Sequence, residues 1–170
     1  MRDAATGAEE VARVTGVTAV EAGPVYARVR LQAEASCCPR ITQELTLYRD
    51  LPRIDIAYRI LRDSTPMREL YVAFPFDVRD PVFHYEAGNA VVEPIRDQVP
   101  GSCTDAYAVQ HWVSVTGSQG DGVVWSAIDT PIAELGGLWP GYVSRAHHGV
   151  TGPGYGHPFA GEGELTKGHI

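Results

Sequence analysis

The sequence predicts an all-β protein built from antiparallel strands, a sandwich or a barrel, and three observations carry the prediction. Apolar residues alternate with polar ones through most of residues 25–60, the period of a strand with one wet face. Turn-forming residues separate those runs at Arg49-Asp50-Leu51-Pro52 and at Ser118-Gln119-Gly120-Asp121. No segment sustains an i, i+3, i+4, i+7 apolar stripe, and the best helix candidate, "ATGAEEVARV", is short and runs into strand-like sequence. With 170 residues the chain is long enough for one such domain with a substantial core.

The first strand covers Val25 to Ala33. Val25, Ala27, Val29, Leu31 and Ala33 point one way, and Tyr26, Arg28, Arg30, Gln32 and Glu34 the other. Next comes "RITQELTLYRDLPRIDIAYRIL", residues 40–61, in which Ile41, Leu45 and Leu47 oppose Thr42, Glu44, Thr46 and Tyr48. After the turn, Ile54, Ile56, Tyr58 and Ile60 alternate with Arg53, Asp55, Ala57 and Arg59. Asp50 tolerates turn geometry and Pro52 cannot donate to a ladder, so this is a hairpin. "ELYVAFPFDV" (69–78) is β-branched and aromatic, with Pro75 marking an edge or a bulge. Residues 79–110 hold Pro81, Pro94 and Pro100 and read as a long loop or short strands. "HWVSVTG" (111–117) and "GVVWSAID" (122–129) form a second hairpin. From about Leu135 the chain is crowded with glycine and proline and carries four of the six histidines. It reads either as a functional loop system or as a segment whose packing partner is missing. The end at Gly168-His169-Ile170 looks like the start of a further strand, so the chain reads as incomplete at its C-terminus.

Composition narrows the function classes. The apolar fraction of 44% and charged fraction of 21% are those of a soluble globular protein. A formal charge of −7 repels nucleic acid and anionic membrane, no apolar run can cross a bilayer, and no secretory signal opens the chain. The expected location is cytoplasmic. Cys37, Cys38 and Cys103 have no paired ligand spacing and read as free thiols rather than as a metal or redox set.

Several residues are candidates for chemistry. His84 and Glu86, two apart in "FHYEAG", share a strand face and could form an acid–base pair, with His111 as a second acid; surface polarity beside a proline-rich loop is the alternative. His147 or His148, with His157 and Asp129, could hold zinc, but the spacing fits no ligand pattern well, and a solvated glycine-rich loop is the plainer reading. Asp129 closes an apolar strand before Thr130-Pro131, where it either orients a loop or faces a ligand. Trp112 and Trp125 read as core, whereas Trp139 and Tyr142, in "GGLWPGY", could stack on a sugar or pack on the sandwich. Nucleophile-elbow, P-loop and dinucleotide motifs are absent, and the acids are scattered over wet strand faces instead of paired for glycoside hydrolysis.

Taken together, "EAGPVYARVRLQ", "ITQELTLYRDLPRIDIAYRI" and "ELYVAFPFDV" resemble the C-terminal β-domain of α-mannosidase-type glycoside hydrolases, family 38. "QHWVSVTGSQGDGVVWSAIDTPIAELGGL" is similar to a run in bacterial members, so the resemblance spans about residues 17–138. Asp50 stands where the family often has glycine. The resemblance implies a galactose mutarotase-like supersandwich and a parent enzyme whose zinc and catalytic aspartates lie in an N-terminal barrel missing from this chain. No catalytic residue, metal or cofactor is therefore expected here. The expected role is non-catalytic support of that barrel, with carbohydrate and the barrel as partners. Asp129, Trp139, Tyr142 and His147 are the expected ligand-binding candidates near the cleft rim. A stand-alone mutarotase using His84 and Glu86, or a carbohydrate-binding module, is the alternative.

Overall fold

Alternation in the sequence becomes alternation in space throughout the computed structural model. It describes residues 1–3, 8–64, 68–99, 102, 106–126, 129–136 and 168–169. Every regular element among them is a β-strand, all pairings are antiparallel, and neither four-stranded sheet closes into a barrel. The all-β, antiparallel class predicted from the sequence is thus the class observed. The chain divides into two compact units, Met1–Tyr71 and Val72–Ile170.

In the first unit, β2 (Arg13–Ala22), β3 (Tyr26–Ala35), β4 (Cys38–Tyr48) and β5 (Ile54–Leu61) form a meander in that order, and β1 (Arg2–Asp3) pairs with β6 (Arg68–Glu69). Register fixes the faces. Ala27 opposes Leu47, which opposes Ile54, and Val29, Leu45 and Ile56 form the next such row, so the apolar residues of three strands share one side. Arg28, Arg30 and Gln32 share the other side with Thr46, Glu44 and Thr42. Two register shifts, between Val14 and Gly16 and between Ala19 and Glu21, bulge β2 and raise the local twist. Asp50 is not among the positive-φ residues, so this turn makes no demand for glycine at that position.

The apolar side of this sheet stays largely in solvent: Val17 is 64% exposed, Ile54 58% and Leu47 43%. Among the described residues of the unit only Cys37, Cys38 and Thr46 are buried. Both cysteines are free, with their sulfurs 3.7 Å apart. Burial pushes the Cys38 thiol above its ordinary pKa.

The second unit is built differently. β8 (Val82–Ala87) and β11 (Trp112–Thr116) are the central strands of a sheet flanked by β9 (Ala90–Val92) and β12 (Gly122–Ser126). Two short pairs complete it: β10 (Tyr107–Ala108) with β13 (Ile132–Ala133), and β7 (Pro75–Phe76) with β14 (Gly168–His169). Phe83, Tyr85, Val113 and Val115 face inward and close a core with Tyr107, Val109, Ala133 and Leu135. The Tyr85 and Tyr107 rings meet at 5.2 Å in a tilted pair. Burial raises the Tyr85 pKa above its ordinary value. Gly120, at φ 82°, supplies the left-handed residue of the β11–β12 turn, where a side chain would be strained.

Two expectations change. The run 69–78 is not one strand: it pairs only at Arg68–Glu69 and Pro75–Phe76, and the residues between have no ladder partner among those described. Trp112 does not share the core face with Trp125. Val113 pairs with Tyr85 on the inner side, which turns Trp112, half-buried, to the outer side, while Trp125 packs on the core.

Candidate functional site

The outer face of the second sheet gathers the chemistry-bearing side chains. Because Phe83 and Tyr85 are drawn into the core, strand alternation turns His84 and Glu86 out together, as their two-residue spacing predicts. Ser114 lies opposite His84, and Val91 opposite Glu86. His111 ends the loop before β11, and its Nδ1 stands 2.9 Å from Glu86 Oε2. The Gln110 N–H donates to the Glu86 carbonyl (2.8 Å), fixing that loop onto β8. Ser126 Oγ donates to the His111 carbonyl at 2.8 Å, tying β12 to the same place.

A second group lies just past β9. His84 Nε2 is 3.7 Å from Glu93 Oε2, and Arg96 pairs with Glu93 across a turn that holds Pro94. Asp97 accepts from the Glu93 N–H at 2.8 Å and from Arg96 Nε at 3.1 Å. The hydrogen bond from Arg96, then the backbone bond from Glu93, hold the Asp97 carboxyl below its ordinary pKa, so it stays ionised. Ile95 sits between them at φ 71°, costly for a β-branched residue, and its N–H donates to Gln98 Oε1 at 2.8 Å.

The expected His84–Glu86 pair is therefore split. The two side chains share a face, but Glu86 engages His111 and His84 leans on Glu93. The Glu86 carboxylate holds the His111 ring by a hydrogen bond and so laces loop to strand, whereas His84, at 3.7 Å, lies beyond hydrogen-bond distance of Glu93. No serine, threonine or cysteine is recorded in hydrogen-bond contact with either ring, so the cluster lacks an activated nucleophile among the described residues. Among those residues no three of His, Cys, Asp and Glu come together to hold a metal.

Of the four ligand-binding candidates, Asp129 is exposed at a bend after β12. Trp139, Tyr142 and His147 lie outside the described residues, as do His148, His157 and Cys103. Glu93, Arg96 and Asp97 were not singled out from sequence. Their signal is the run "EPIRD", in which a proline turn brings charges of opposite sign back on one another.

Among the described residues every regular element is a β-strand and every pairing antiparallel, which defines the class as an all-β domain. The comparison with protein families names it further. Residues 3–125 match the family described as Glycosyl hydrolases family 38 C-terminal domain, and the chain belongs to that family. No curated protein and no solved structure matches the chain.

Proposed function

We propose that the chain is the non-catalytic β-domain of a glycosidase acting on α-mannoside-like sugars, where it supports a zinc-bearing catalytic barrel. The family match makes the domain one of a glycoside hydrolase; the supporting role and the sugar are the further reading. The observation that carries it is the apolar side of the first sheet. Val17, Leu47, Ile54 and Ile56 lie on that side, all exposed, on a sheet that buries almost nothing of its own. A contiguous apolar face of this kind marks a surface that another body covers. In this reading the catalytic part of the same parent is that body. The glycine-rich segment after Leu135, with Trp139, Tyr142 and His147, borders the substrate cleft together with Asp129, where aromatic rings would stack on sugar.

Assay of an aryl α-mannoside tests the reading. The 170-residue chain is expected to release no aryl alcohol, with or without added zinc, and a parent enzyme lacking residues 3–125 is expected to lose its soluble activity. Turnover by the chain alone that His84→Ala abolishes would replace the reading with that of a free-standing enzyme. A parent that keeps its full kcat/KM without those residues would remove the supporting role.

A further inference from the structure

The polar side of the first sheet carries a groove of about 640 Å³, within the size range of small-molecule sites. Its middle row runs Gly16, Gln32, Thr42, Arg59 across all four strands, by register. The adjacent row places Arg30 opposite Glu44 and Glu44 opposite Ala57. Arg40 follows on β4 two residues before Thr42, on the same side by alternation. Ala57, small on an outer strand, leaves the space; Arg30, Gln32, Arg40 and Glu44 on the inner strands line it.

Charge decides what the groove fits. Residues 1–71 hold ten arginines, no lysine and ten acids, so this unit is neutral in a chain of net charge −7. The two acids lining the groove are taken: Glu34 pairs with Arg13, and Arg30 donates to Glu44, Nε to Oε1, at 2.8 Å. That hydrogen bond from Arg30 is the main reason the Glu44 carboxyl titrates below its ordinary range. Arg40 and Arg59 make no ion pair among the described residues, and Arg59 acts on Glu44 only through space. Two uncommitted guanidinium forks thus face a groove that also offers an amide, a hydroxyl and an ionised carboxylate. The forks suit a carboxylate, which they bind in bidentate fashion. Gln32 and Thr42 suit hydroxyl groups, and Glu44, which repels a bare anion, accepts from them. A ligand carrying both a carboxylate and many hydroxyls matches the whole set.

We propose that this groove binds an acidic saccharide, through Arg40 and Arg59 to a uronate carboxylate and through Gln32, Thr42 and Glu44 to its hydroxyls. The site stands apart from the proposed support of a catalytic barrel, and its test reads binding rather than hydrolysis. The probe is trigalacturonate, titrated calorimetrically into the 170-residue chain at low ionic strength, against its neutral methyl ester. The acid is expected to bind saturably and the ester far more weakly, a comparison that needs no variant. Arg40→Ala and Arg59→Ala are each expected to weaken binding about tenfold or more. Arg59→Lys, which keeps the charge but loses the fork, is expected to fall between. Arg49→Ala, exposed at the β4–β5 turn outside the groove, is expected to bind like the parent chain. Equal affinity for acid and ester, an equal loss in Arg49→Ala, or no saturable binding at millimolar probe would each overturn the proposal. So would concentration-dependent self-association that Arg59→Ala abolishes, which would assign the groove to a second copy of the chain.

Discussion

The two units use the same strand alternation to opposite ends. In the second, the inward residues of β8 and β11 meet Tyr107, Val109, Ala133 and Leu135, and a closed core results in which Val113 and Val115 are fully buried. In the first, four longer strands align an equally apolar side that remains mostly in water. Charge divides along the same line: the neutral, arginine-rich first unit contrasts with residues 72–170, which carry the whole net charge of −7. The first sheet thus carries polar and charged side chains on one side and largely exposed hydrocarbon on the other. The difference teaches that alternation specifies a strand's two faces but not what covers them; only long-range partners do that.

Substitutions on the apolar side of each unit break the comparison most sharply. Leu135→Ala removes a side chain that is 1% exposed and should cost the second unit about 2–5 kcal/mol in urea unfolding. Leu47→Ala, at 43% exposure in the first unit, should cost about 1 kcal/mol. Similar losses at the two positions would mean that the first sheet is covered after all.

Acid gives a smaller effect with the contrast reversed. In the first unit Glu10, Glu44 and Asp55 are each held below their ordinary pKa, by hydrogen bonds from Ser36, Arg30 and Arg53 respectively; in the second unit Asp97 is so held, by Arg96. A carboxyl whose folded pKa is depressed stabilises the fold above its unfolded value and loses that contribution as pH falls through the folded one. Glu10, Glu44 and Asp55 are half-buried and Asp97 is exposed, so solvent screens all four and each contribution is modest. Strand amide signals of β3–β5 should therefore hold steady from neutral pH down to about 4 and weaken below it, before those of β8 and β11. Loss of the β8 and β11 signals first, followed by NMR over the same range, would reverse the assignment.

Much of this was legible in the sequence, for identifiable reasons. The hairpin of β4 and β5 keeps period two on both arms apart from Gln43 and Ala57, with a marked turn, so its faces could be assigned, and they are as assigned. β2 could not be delimited, because its two bulges break the period that would reveal it. The run 69–78 has strand composition throughout, yet composition does not supply a ladder partner, and only its ends find one among the described residues. Trp112 reads as core by residue type, but the pairing of Val113 with Tyr85 decides its face. The candidate site was legible in its parts and not in its connections. His84 and Glu86 were visible as same-face neighbours, whereas the bond between Glu86 and His111 joins residues 25 apart and depends on β8 pairing with β11.

Native-state hydrogen exchange on the isolated chain tests the central claim, that the second unit closes its own core while the first presents a sheet awaiting a partner. The account predicts that amides of Trp112–Thr116 and Val82–Ala87 exchange slowest, through global opening, and that those of Arg13–Ala22 and Ile54–Leu61 exchange sooner, through cheaper local openings. Equal or stronger protection in Arg13–Ala22 and Ile54–Leu61 would contradict it.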